Sequence, residues 1–155
     1  QQRKKKQPKV TLEDIKKTTS HWILPECPTL ISEPCLGFVY KVTNLENEMY
    51  YIGKKHFTVT NWPTYLTSSK TLKAEILEVG PSYLDKFQFD MLFTCGDKSS
   101  LSLGETQLQL ELDVIHDPQS YNKAISGQRF LGATKHTPDA VVKLSAINLN
   151  KPKKR

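Results

Sequence analysis

A small α/β domain is what this sequence predicts: a three-stranded sheet, mixed or antiparallel, flanked by helices. Three observations carry the reading. Two β-branched and aromatic runs, at residues 37–43 and 49–54, flank a polar break centred on Leu45 and Glu46, the pattern of an antiparallel hairpin. Phe87, Phe89, Met91 and Phe93 alternate with Gln88, Asp90 and Leu92, which supplies a third strand. Between them, Leu72, Ile76 and Val79 form one face of a helix that Ser68 or Ser69 caps and Gly80-Pro81 stops.

The remaining elements follow in chain order. Residues 1–10 read as disordered, and Thr11-Leu12-Glu13-Asp14 has the spacing of a capping box that opens a short helix. Pro25, Pro28 and Pro34 break residues 21–36 into an extended connector. With the hairpin turn at Leu45 and Glu46, Tyr40 and Tyr51 fall opposite each other and emerge on one face. Such a pair is either a half-buried aromatic contact that stiffens the hairpin or two titratable hydroxyls sharing one site. Residues 104–116 fit two periods: Leu108, Leu110, Leu112 and Val114 alternate as in a strand, whereas Leu108, Leu112 and Ile115 form a helical stripe with Glu105 one turn earlier.

A chain of 155 residues is long enough for one domain with its own core and some extension. No apolar run approaches the roughly 20 residues of a membrane span, and the lysine-rich start lacks a signal peptide's apolar stretch, so no membrane partner is expected. Cys27, Cys35 and Cys95 are odd in number and lack a C-x-x-C spacing, which argues against a disulfide framework and for a reducing, cytoplasmic setting. A zinc site from His21, Cys27 and Cys35 would match no usual finger spacing.

The formal net charge of +6 is unevenly spread. Residues 1–10 carry Arg3, Lys4, Lys5, Lys6 and Lys9 and no acid, a net +5, and residues 129–155 carry seven bases against Asp139, a net +6. Residues 11–128 hold ten bases and fifteen acids, a net −5. Basic ends on an acidic body suit a protein that holds a polyanion through its termini, although lysine-rich ends also serve simply as solvated tails.

Gly37-Phe38-Val39-Tyr40 followed by Tyr51-Ile52-Gly53-Lys54 resembles the signature of GIY-YIG nucleases, with Asn44 as the polar residue between the halves and Lys54 directly after the glycine. Residues 104–114 resemble the family helix that carries a metal-binding glutamate, which places Glu105 in that role and favours the helix over the strand. Tyr121-Asn122 resembles the Tyr-Asn pair that follows it, whose asparagine helps to shape the site. The resemblance spans roughly residues 36–126. It implies a nuclease-like domain over 36–128, preceded by a basic extension and connector over 1–35 and followed by a basic DNA-binding extension over 129–155.

The chemistry that the resemblance implies is phosphodiester hydrolysis with one divalent metal, Mg²⁺ or Mn²⁺. Tyr40 takes the base role, with its phenolate favoured by a neighbouring lysine, and Tyr51 orients water or phosphate. Glu105 holds the metal, which offsets charge on the leaving oxygen. Without the family context, a glutamate at a helix start reads as a surface acid that complements the helix dipole. The family arginine about ten residues beyond the second tyrosine is replaced by Asn61, and the arginines of this chain are Arg3, Arg129 and Arg155. Losing a cation aimed at the phosphate costs transition-state stabilisation unless Lys54, Lys55 or His56 substitutes. If the second strand continues past Gly53, Lys55 shares the tyrosine face; a kink at Gly53 presents Lys54 instead.

Thr137-Pro138-Asp139 is a good helix start, and the short helix it opens is followed by Lys151, Lys153, Lys154 and Arg155. Lys135-His136 through Lys143 and onward resembles the small modular DNA-binding elements of phage homing endonucleases, in which a short helix lies in the minor groove. A terminal helix packed on the domain is the structural alternative. The expected partner is double-stranded DNA, and the expected protein is a phage homing or free-standing endonuclease working in the bacterial cytoplasm. The rivals are a catalytically silent DNA-binding protein that keeps the fold and an RNA-binding protein that uses the same basic tails.

Overall fold

The computed structural model describes residues 10–57 and 61–124. The expected helix after Thr137 lies outside the described residues, as do Arg129, Lys135, His136, Lys143, Lys151, Lys153, Lys154 and Arg155. Within them, helix α1 (Leu12–Lys17) precedes strands β1 (Gly37–Asn44) and β2 (Tyr50–His56); helix α2 (Lys70–Val79), strand β3 (Phe87–Cys95) and helix α3 (Lys98–Glu111) follow. The sheet has the order β2-β1-β3, and both pairings are antiparallel. Among the described residues no helix is long and apolar enough to cross a membrane.

Local chemistry explains the helix ends. Thr11 and Asp14 bond reciprocally as a capping box on α1. Ser69 caps α2 through the Leu72 N–H, and Gly80, at φ 86°, terminates it. Asp97 caps α3 through the Ser100 N–H. The sequence therefore predicts α2 correctly, but α3 starts six residues before Gly104, the start read from the resemblance, and ends at Glu111. Glu105 consequently lies within the helix and is buried, and Ile115 lies beyond it and is exposed.

The hairpin departs from expectation in register. Tyr40 pairs with Gly53 and Val42 with Tyr51, a shift of two residues that keeps both tyrosines on one face but makes them diagonal neighbours. Asn44 causes the shift by widening the loop to residues 45–49. Its side-chain oxygen accepts the Glu46 N–H, its carbonyl accepts the Glu48 N–H, and Glu48 adopts φ 64°.

The sheet separates two apolar layers. On one side Phe38, Tyr40, Val42, Phe89 and Met91 pack with Leu72 and Ile76 of α2; on the other, Val39, Ile52 and Phe93 pack with Leu101 and Leu108 of α3. A break in register against β1 between Val39 and Tyr40 places Leu92 as the extra residue of β3, so Met91 and Phe93 serve opposite layers. The 21–36 connector is part of this core. Ile23 exchanges backbone hydrogen bonds with β3, and buried Trp22 donates its indole N–H to the Trp62 carbonyl.

Candidate active site

Pairing Tyr40 with Gly53 sets the geometry. Because Gly53 has no side chain, the Tyr40 ring lies across β2 and approaches Tyr51, with ring centroids 6.2 Å apart. Tyr40 is fully buried. Its O–H donates to Thr67 Oγ1 at 3.4 Å, and its oxygen accepts the Ser68 N–H at 3.1 Å. Tyr51 is half-buried, and its hydroxyl shares a hydrogen bond of 3.0 Å with Ser68 Oγ. Tyr65 packs edge-on against Tyr40 at 6.0 Å and completes a three-phenol cluster.

The electrostatics of the phenols run opposite to the expected lysine activation. Burial first, and then Tyr65, push the Tyr40 phenol well above its ordinary range, while the Thr67 and Ser68 bonds pull the other way. Burial also raises Tyr51, with Glu105 and Tyr65 adding to it and Ser68 opposing. Lys55 does share the tyrosine face, because β2 continues to His56, but its ammonium lies over the Tyr65 ring, 4.1 Å from the centroid. Burial lowers the Lys55 pKa. His56 is lowered by burial and then by Lys54, Lys98 and Lys55, which places four basic side chains around this end of β2.

Glu105 stands on the α3 side of the sheet, so the site straddles edge strand β2 instead of lying on one face. Lys54 reaches Glu105 without any kink at Gly53, Nζ to Oε1 3.4 Å. Gln109, one turn further along α3, donates to the other Glu105 oxygen at 3.3 Å and to the Ile52 carbonyl at 3.1 Å. Asn122 uses both ends of its amide on the same backbone, accepting the Ile52 N–H and donating to the Ile52 carbonyl, each at 3.0 Å. It thereby ties β2 to the segment that follows α3.

The candidate residues therefore divide clearly. Tyr40, Tyr51 and Lys55 gather on one side of β2, Lys54 and Glu105 on the other, and Asn122 holds the strand between them. Asn61 is exposed, with φ 73°, at the start of a 3-10 turn. Thr67, Ser68, Tyr65 and Gln109 are additional members that sequence reasoning missed. Gln109 carried a signal, since it lies one helical turn from Glu105. Ser68 carried a weaker one, as the hydroxyl left over once Ser69 caps α2.

Two other candidate regions fall away from this centre. Among the described residues no group of three or more His, Cys, Asp and Glu side chains is placed to hold a metal. Both ring nitrogens of His21 are engaged, with the Tyr83 hydroxyl at 2.9 Å and the Tyr65 carbonyl at 2.8 Å, so the spacing with Cys27 and Cys35 forms no zinc site. A cleft of about 250 Å³ at the hairpin-turn end is lined by Asn44, Glu46, Glu75, Glu78 and Lys86, an acidic lining that does not suit a polyanion.

At β2, Glu105 is a carboxylate donor of the kind a hard divalent cation takes, here bonded to Lys54 and Gln109. Mg²⁺ binds through one or two carboxylates and keeps water and substrate phosphate as its other ligands, and Glu105 is the carboxylate this site offers. The family model described as "Putative endonuclease segE, GIY-YIG domain" matches residues 22–125. That span begins inside the proline-rich connector, where Trp22 enters the core. No curated protein and no solved structure matches.

Proposed function

Since this chain belongs to the SegE GIY-YIG endonuclease domain family, we propose that it is a metal-dependent endonuclease that hydrolyses phosphodiester bonds of double-stranded DNA. The observation that carries the reading is that one edge strand, β2, has Tyr40, Tyr51 and Lys55 on one side and the Lys54–Glu105 pair on the other. Glu105 would hold Mg²⁺ or Mn²⁺, and the metal would supply charge compensation at the leaving oxygen. Tyr51, the more accessible phenol of the signature pair, orients the attacking water at the phosphate. Tyr40 is the base. Its burial opposes ionisation, and its hydrogen bonds with the Thr67 hydroxyl and the Ser68 N–H offset part of that cost.

Lys55 takes the place of the absent arginine on the tyrosine face, and Lys54 balances the buried Glu105 carboxylate until substrate arrives. The net +6 of residues 129–155 supplies the long-range hold on DNA. The reading extends to a phage homing or free-standing role in a bacterial host cytoplasm.

Incubation of supercoiled plasmid with the protein and Mg²⁺, against a chelator control, tests the proposal directly. Metal-dependent nicking or linearisation supports it. Duplex binding without cleavage would identify a silent DNA-binding protein instead, and stronger competition by RNA than by duplex DNA would identify an RNA-binding one.

A further inference from the structure

We propose that Ser68 is a positioning residue of the hydrolytic site, setting the direction of the Tyr51 hydroxyl while its backbone N–H anchors Tyr40. The inference rests on the nuclease reading, in which Tyr51 handles the attacking water.

Three consecutive hydroxyl residues approach α2, and each has a separate task. Ser69 Oγ accepts the Leu72 N–H at 3.2 Å and caps the helix. Thr67 Oγ1 accepts the Tyr40 O–H and the Ser69 N–H. Ser68 is neither cap nor core: its side chain is exposed, yet its Oγ lies 3.0 Å from the Tyr51 hydroxyl while its N–H is committed to Tyr40 at 3.1 Å. Its hydrogen bonds thereby touch both signature phenols.

A solvent-exposed hydroxyl contributes little to stability by this contact, because water bonds either partner almost as well. Orientation is what the contact adds. A phenolic O–H turns about its C–O bond, and Ser68 selects one arrangement in which the Tyr51 oxygen presents its remaining donor or acceptor capacity outward. The contact also supports the anionic form of Tyr51 against burial. Reading Ser68 as the cap of α2 would have consumed the hydroxyl; the structure gives that task to Ser69 and leaves Ser68 to Tyr51.

Cleavage kinetics of the full chain with Mg²⁺ and duplex DNA test the inference. Ser68→Ala is expected to lower kcat by about tenfold with KM within about twofold, and Ser68→Thr, which restores the hydroxyl, to recover most of the rate. In a Tyr51→Phe background, followed under single-turnover conditions, Ser68→Ala should add nothing, because the hydroxyl that Ser68 positions is gone. A normal kcat in Ser68→Ala, failure of Thr to rescue, or a full additional loss in the Tyr51→Phe background would each overturn it. If the wild-type chain cleaves nothing, the nuclease reading fails and takes the inference with it; a cleaving wild type beside an equally active Ser68→Ala fails the inference alone.

Discussion

Tyr40 lies over Gly53, its partner across the β1–β2 ladder, so closely that a Cβ added to Gly53 would sit 2.5 Å from the phenol oxygen and 2.9 Å from Cε2 of Tyr51. The glycine of the second signature half is therefore the floor on which both phenols rest. Gly53→Ala must displace both rings, and overpacking of this kind costs about 1–3 kcal/mol. The expected outcome is a lowered melting temperature and a loss of cleavage larger than the stability change explains, measured on folded protein. An alanine variant with wild-type cleavage would show that phenol placement does not set the rate.

Tyr40 and Glu105 lie on opposite sides of β2, yet the proposed mechanism needs both. Tyr40→Phe and Glu105→Ala should each reduce cleavage by about 10²-fold or more, and the double variant should be little worse, because groups acting as a unit are not additive. Tyr40→Phe also leaves the Thr67 hydroxyl and the Ser68 N–H without their phenol, a cost of about 1–2 kcal/mol in unfolding free energy. Duplex binding should survive in each. A Tyr40→Phe protein that cuts at the normal rate would remove that phenol from the base role.

The absent arginine makes Lys54 and Lys55 the test of phosphate stabilisation. Replacing Lys55 by alanine removes the cation from the tyrosine face, and replacing Lys54 removes the counter-charge of Glu105. The double variant should cleave about 10²-fold more slowly with a modest change in affinity. Restoring an arginine at Asn61 is not expected to help. Asn61 occupies the left-handed region at φ 73°, where a longer side chain costs about 1 kcal/mol. Full activity in the Lys54→Ala, Lys55→Ala protein would locate the cation elsewhere, with Arg129 or a partner subunit the first places to look.

His21 gives a signed dependence of stability on pH. Burial holds its pKa below 6.5 against the opposing Tyr65 carbonyl bond, so the folded state prefers the neutral ring. Stability linked to His21 is then present above the unfolded value and lost as pH falls through the folded one, since the unfolded chain binds the extra proton first. Melting temperature should decline between about pH 7 and about pH 5, more steeply in the wild type than in His21→Gln, which has no proton to gain. Equal slopes would place the acid-sensitive group elsewhere.

What was legible in the sequence and what was not divide along physical lines. Helix α2 was readable because a serine cap, the Leu72 and Ile76 stripe and Gly80 all act locally. The shared face of Tyr40 and Tyr51 was readable because strand alternation survives a shift of two residues. The register was not, since it depends on how Asn44 spends its side-chain oxygen. The bulge at Leu92 left no mark in an otherwise regular alternation, so Phe93 could not be assigned to its own layer. Ser68, Tyr65 and Gln109 join the site through bonds and packing with residues far away in the chain, and Trp22 reaches the core from a stretch whose prolines suggest only extension.

The basic C-terminal stretch carries the remaining signed expectation. Residues 11–128 hold a net −5, so the body opposes a polyanion beyond contact range, and deleting residues 129–155 removes a net +6. Every phosphate that the deletion leaves without its lysine or arginine should reduce the slope of log affinity against log salt by about 0.9. The truncated protein should therefore bind duplex DNA far more weakly and with a flatter salt dependence. Cleavage at high enzyme concentration should persist, because Tyr40, Tyr51, Lys54, Lys55 and Glu105 all precede the deletion. Filter binding or fluorescence anisotropy across a salt series measures both quantities at once. Unchanged affinity and slope would mean that DNA is held by the body despite its charge, with the four basic groups around β2 the surface to mutate next.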